Sequence, residues 1–252
     1  MNETRATLRV GLAARFPRWF LKVIGLGWRR MRVARLLEVL GPVMIGPSSS
    51  HTAGAARLGK LARCLLGEAP VKAVLTLHGS FAATYRGHGT DLALVGGLLG
   101  FAPDDERIRD AFRFAKKEGL EVVINAGDLG RVHPNSVKFE LKGAGGRELV
   151  AVGSSIGGGR VEMVEIWGLP VSIRGEQPTL VATYPDRPGM VAALTAQLAS
   201  RNINIATMRV TRSGRGKLAV AVIEVDQHVP EDLVNAIAQL PSMKRVVSMD
   251  VT

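Results

Sequence analysis

The sequence predicts an α+β fold in two domains, on three observations. Helical and extended patterns alternate through the first part of the chain. A polar break, "RGEQP", runs from Arg174 to Pro178. Residues 178–252 then read strand, helix, strand, strand, helix, strand. The chain's 252 residues suffice for two modest cores. The expected divisions are a basic leader over 1–33, a mixed α/β domain over 34–175 and a second domain over 178–252.

The leader concentrates the charge. Residues 1–35 hold nine Arg or Lys against one acid, Glu3, and so carry +8 of the formal +11. A basic face spread over a folded domain would look different, which argues against nucleic-acid binding. There is no apolar run of ~18 residues to span a bilayer. Lys22 interrupts "WFLKVIGLGW" and no small-residue cleavage site follows it, which argues against a secretory signal. Two readings remain for the leader. One is an Arg-rich segment with Trp19, Phe20 and Trp28 lying on an anionic membrane surface. The other, preferred, is a disordered or mis-started leader with translation beginning at Met31.

Downstream, Leu58, Leu61, Ala62, Leu65 and Leu66 recur at helical spacing between Ala53 and the stop at Gly67. Cys64 lies in this helix as the chain's single cysteine, so no internal disulfide and no cysteine-ligated metal centre belongs to this chain alone. It reads as a small buried hydrophobe. "VKAVLTLHGS" is a buried strand from Val71 to Leu77. "AATYRGHGTDLALVGGLLG" gives two helical pieces broken at Gly87 to Gly89. "PDDERIRDAFRFAKKEG" predicts one full helix, with Asp104 as cap, lysines in the last turn and Gly119 as stop. "EVVIN", "NSVKFELKG", "RELVAVGSS" and "RVEMVEIWG" are strands; the second alternates Val137, Phe139 and Leu141 against Lys138, Glu140 and Lys142. The sheet is expected to be part antiparallel. After the break, "TLVATY", "MVAALTAQLASR", "INIATMRVTR", "KLAVAVIEVD", "PEDLVNAIAQL" and "KRVVSMDV" complete βαββαβ, the ferredoxin-like order.

Four stretches carry candidate chemistry. In "GPSSSHTAG" a hydroxyl would cap the following helix, but one cap needs one hydroxyl. The loop offers Ser48, Ser49, Ser50 and Thr52, with His51 among them, at a helix N-terminus suited to a carboxylate. A histidine there can exchange protons near neutral pH. His78 and Ser80 end a strand where α/β sheets place ligand groups, and His88, Thr90 and Asp91 follow on a glycine-rich turn. "RVHPNS" adds His133 and Asn135. "SSIGGG", Ser154 to Gly159, offers backbone amides to an anion but matches neither the P-loop nor the dinucleotide pattern. In the second domain, "YPDRPGM" opens a helix and Asn204 stands nearby. Each stretch also has a plain reading as cap, turn or docking surface.

Taken in order, "GPVMIGPSSSHTAGAARLG", "LHGSFAATYRGHGTDLALVGGLLG", "VHPNSVKFEL" and "SSIGGG" resemble the β subunit of bacterial iron–sulfur-dependent L-serine dehydratase. The tail, "DRPGMVAAL…RNINIATMRV", resembles an ACT domain, and the likeness spans roughly Glu38 to Thr252. The resemblance implies a cytoplasmic ammonia-lyase subunit: L-serine loses water to give aminoacrylate, which hydrolyses to pyruvate and ammonia. It implies a [4Fe–4S] cluster, held by a partner α subunit, as Lewis acid for the departing hydroxyl, and it allows dimerisation through the ACT domain. It implies His51 in proton transfer, with Ser48, Ser49, Ser50, Thr52, His78, Asp91 and Asn135 binding L-serine. Asp186, Gly189 and Asn204 match the ACT ligand loop, while Tyr184 stands where some ACT domains use histidine to grip serine. The first domain also resembles the allosteric substrate-binding domain of some phosphoglycerate dehydrogenases, so a non-catalytic, amino-acid-binding regulatory subunit is the alternative.

Overall fold

The computed structural model describes residues 43–250; the leader over 1–33 and the start at Met31 lie outside them. Helix α1 (Gly54–Leu66) is entered through a π turn, Ser49–Ala53, and closes on Gly67 at φ +70°. Strand β1 (Pro70–His78) leads into α2 (Gly79–His88) and α3 (Thr90–Leu98). The break between these helices is the single residue Gly89, at φ +66°; Gly87 stays inside α2.

The long helix expected after Asp104 divides. Glu106–Asp110 is a 3-10 turn and only Ala111–Lys117 (α4) is α-helical. The cap is Asp105, not Asp104: its carboxylate accepts from Arg107 N at 2.9 Å. Arg107 also turns its guanidinium back onto that carboxylate and lies 4.1 Å from the Phe101 ring centroid. This local closure favours the tighter i→i+3 turn.

Strands β2 (Glu121–Ala126), β3 (Ser136–Gly143), β4 (Glu148–Gly157), β5 (Arg160–Ile166) and β6 (Leu169–Ile173) join β1 in the order β2-β1-β3-β4-β5-β6. Only β1 and β2 run parallel. The alternation in β3 buries Val137, Phe139 and Leu141 as the pattern requires. Strand β6 was not expected. It folds back on β5 through the two-residue turn Trp167–Gly168, with Ile166 opposite Leu169 and both turn residues at positive φ. A tryptophan there is outside the Asn-Gly pattern that marks such hairpins in sequence.

The second sheet, formed by β7 (Thr179–Pro185), β8 (Ile205–Arg212), β9 (Leu218–Val225) and β10 (Arg245–Met249), is antiparallel in the order β10-β7-β9-β8. With α5 (Met190–Ser200) and α6 (Glu231–Ala238) it makes the βαββαβ unit. Leu180, Ala182 and Tyr184 pack with Leu194, Leu198, Leu233 and Ile237 of the helices. The intervening Val181, with Val220, Val222 and Val247, joins the core of the first sheet. Both faces of β7 are therefore covered, and every residue from Thr179 to Tyr184 is buried, Thr179 and Thr183 included.

Candidate active site

The π turn places His51 where strand β1 ends. Ser48 caps the turn by accepting from His51 N at 3.2 Å. The same hydroxyl lies 3.3 Å from His51 Nδ1, and Ser80 Oγ lies 3.1 Å from Nε2. Each ring nitrogen thus has a hydroxyl that can donate or accept, so either tautomer is satisfied and a proton can leave from either side. His88, at the last position of α2, stands edge-on to His51 with ring centroids 4.7 Å apart, and Phe81 flanks it at 5.3 Å. Burial, and secondarily the neighbouring His88, pull the His51 pKa below the ordinary 6.5. The imidazole is consequently neutral, and basic, at neutral pH. Single π turns recur at functional sites, and here the wide turn brings four hydroxyl-bearing residues into one helical entry.

The remaining site residues divide into those the fold assembles and those it sends elsewhere. Thr52 is buried, with its hydroxyl donating to His88 O at 3.2 Å, so it tethers α2 rather than facing a ligand. Ser49 and Ser50 are half-buried at the start of the turn. Ser50 O accepts from the buried Ser155 Oγ at 2.9 Å, and Ser155 N donates to Asn135 O at 2.9 Å. Asn135 is thereby drawn beside the turn, and its own N–H donates to His133 Nδ1 at 3.1 Å. His78 instead accepts from Leu129 N at 3.2 Å and lies 3.4 Å from Asp128, among neighbours separate from those of His51. Asp91 accepts from Leu92 N in the first turn of α3, a local role.

Ser80 and His88, named with the second polar cluster, and Ser155, within the glycine-rich run, are functional candidates whose link to the His51 turn residue spacing did not show. Their signal was faint: two histidines separated by a whole β–α unit become neighbours only when the unit closes. A second trace is polar waste. His88 Nδ1 and Thr90 Oγ1 are buried without a hydrogen-bond partner among the described residues, a cost that structure alone does not repay.

In the second domain Asp186 takes Arg212 Nη1 at 2.6 Å, and Gly189, at φ +85°, starts α5. Asn204 Nδ2 donates to Asp226 at 2.7 Å, away from Asp186. Tyr184 is part of the core, its hydroxyl buried without a hydrogen-bond partner among the described residues and its pKa raised by burial and by Asp186. No helix among the described residues is long and apolar enough to cross a membrane.

The family model for the serine dehydratase beta chain matches residues 40–117, and that for the ACT domain matches residues 179–242. A probable L-serine dehydratase beta chain of Bacillus subtilis is 41% identical over 219 residues, covering 87% of this chain and 99% of that one. The L-serine dehydratase beta chain of Peptoniphilus asaccharolyticus is 41% identical over 201 residues, covering 79% of this chain and 90% of that one. A D-3-phosphoglycerate dehydrogenase of Mycobacterium tuberculosis is 27% identical over 184 residues, covering 72% of this chain but 35% of its own. With 41% identity along 99% of one member, over a fold that ends in the ACT arrangement, the chain belongs to the serine dehydratase beta chain family.

Proposed function

We propose that this chain is the β subunit of an L-serine dehydratase and supplies the protein groups that hold serine and move its protons. The observation that carries the reading is His51: a neutral imidazole, gripped at both nitrogens by Ser48 and Ser80, at a helix N-terminus lined with hydroxyls. In this reading Ser49 and Ser50, with the amides of the turn, take the substrate carboxylate. His51 Nε2, relayed by Ser80, exchanges the proton at the substrate's α-carbon or at its departing oxygen. Dehydration yields aminoacrylate, which tautomerises to the imine and hydrolyses to pyruvate and ammonia.

This chain does not fit an iron–sulfur cluster as its holder. It has one cysteine, Cys64, which packs against the first core with its thiol pKa raised by burial. No group of three or more His, Cys, Asp or Glu among the described residues is arranged for a metal. In this reading, as the family resemblance implies, the [4Fe–4S] cluster would be carried by a cysteine-bearing α partner and would supply the Lewis acid for the departing hydroxyl, and the proton and carboxylate chemistry above is this chain's share.

The test is reconstitution without oxygen. The purified chain alone is expected to release no pyruvate from L-serine, and the complex with its cysteine-rich partner is expected to do so. His51→Ala in that complex should cut turnover by about 10²–10⁴-fold with assembly intact. A second reading, a regulatory amino-acid-binding subunit, draws on the overlap with dehydrogenases, whose named reaction differs. It predicts that His51→Ala changes serine affinity or activation and leaves maximal turnover in place.

A further inference from the structure

The glycine-rich run after β4 is a motif the dehydration chemistry leaves unused. Gly157, Gly158 and Gly159, at φ +98°, +62° and +76°, turn the chain from β4 into β5. The run touches the helix entry at both ends. Ser155 Oγ donates to Ser50 O, and Arg57 Nη1 donates to Gly159 O, each at 2.9 Å. Beside Arg57 lies a cavity of about 250 Å³, to which Leu61 and Val161 give apolar lining and Arg57, Arg160, Arg174 and Glu176 give charge.

Three guanidiniums around so small a space repel one another, and the neighbouring acids offset only part of that charge. Glu162 Oε1 lies 3.8 Å from Arg174 Nε and accepts from Ser172 Oγ at 2.5 Å, so with Glu176 it leaves two carboxylates against three guanidiniums. Glu176 is the single carboxylate of the lining. Arg57 spends one N–H on Gly159 and keeps the rest of its fork. We propose that this cavity binds a small organic dianion, a phosphate ester or a short dicarboxylate. Its negative oxygens would be taken by the arginine forks, and its carbon body would rest on Leu61 and Val161. The volume suits a few-atom metabolite and lies below the ~300 Å³ lower end of drug-sized sites. No histidine and no residue beyond Glu176 lines it, so it is separate from the His51 cluster and from the ACT loop. The site does not depend on the dehydration reading.

Calorimetric titration of the full chain tests it, with glycerol 3-phosphate, succinate and inorganic phosphate as probes in chloride buffer near ~0.1 M ionic strength. Saturable binding of the ester or of succinate is expected, and which one saturates assigns the source of the charge. The Arg160→Gln/Arg174→Gln variant, both exposed positions, should weaken binding about tenfold or more, while Arg109→Gln/Arg215→Gln leaves it unchanged. Should the first pair lower the unliganded melting temperature, Arg160→Gln alone replaces it. Binding of neither organic probe, equal weakening by the two pairs, or inorganic phosphate held as tightly as the ester would overturn the assignment.

Discussion

His51 shows how much chemistry a single residue takes from its neighbours. Its lowered pKa means that the protonated form is disfavoured, so the basic form persists to lower pH than for an ordinary histidine. His88 is the second cause of that lowering, after burial. In the reconstituted enzyme, His88→Gln should therefore shift the acid limb of the kcat/KM profile to higher pH, whatever happens to its height. A limb that stays in place would remove His88 from the electrostatics of His51. Ser80→Ala strips the hydroxyl from Nε2 and should lower kcat by about 10–100-fold with a smaller change in KM, read by steady-state assay. The triple serine and His51 were legible as an excess of hydroxyls over what capping needs. Ser80, Ser155 and His88 were legible as polar residues of candidate stretches, but their meeting with the His51 turn was not, because it exists only through contacts 29 to 105 residues apart in the chain.

Among the elements, α1 and α3 are held closest. A Cβ on Gly97 would run into Ala56 O and come within 2.8 Å of Lys60 N, and one on Gly59 would meet Leu94 O. Those contacts are backbone, which cannot swing aside. Gly97→Ala should consequently destabilise the chain by about 1–3 kcal/mol through overpacking, despite alanine's better helix propensity. Thermal unfolding checks it, with an expected fall of roughly 2–4 °C per kcal/mol for a domain of this size. Unchanged or raised stability would mean the helices separate freely. Periodicity found α1 and the alternating β3 without help from the tertiary structure. It missed β6, whose turn sets a tryptophan at φ +49°, and it merged a 3-10 turn with α4, because acids followed by lysines look alike in either helix type.

For the whole molecule, the junction between the sheets turns on Arg245. From β10 it donates to Leu66 O at 2.7 Å and to Glu148 O at 3.0 Å, closing the C-terminal end of α1, and it lies 5.7 Å from the Trp167 ring. Helix α1 begins at the His51 turn, so the ACT strand holds the far end of the helix that presents the candidate base. Arg245→Met keeps much of the apolar stem but takes the donor from the part-buried Leu66 carbonyl and leaves the exposed Glu148 carbonyl to water, at a cost of about 1–2 kcal/mol. Amide hydrogen exchange should then quicken in β10 and around Leu66 ahead of α5. Uniform exchange at the wild-type rate would show that the shared core alone joins the sheets.

By itself the sequence determined the α+β class, the βαββαβ module and the hydroxyl-rich turn, because each rests on periodicity or punctuation within a few neighbouring residues. Tertiary structure decided which of the predicted groups meet. It set Ser80 and His88 against His51, turned Thr52 inward, left His78 with the Asp128 loop and packed one face of the second sheet into the core of the first. Side chains that depend on such distant pairings take their hydrogen bonds, burial and pKa only after the chain has closed, and no local pattern encodes them.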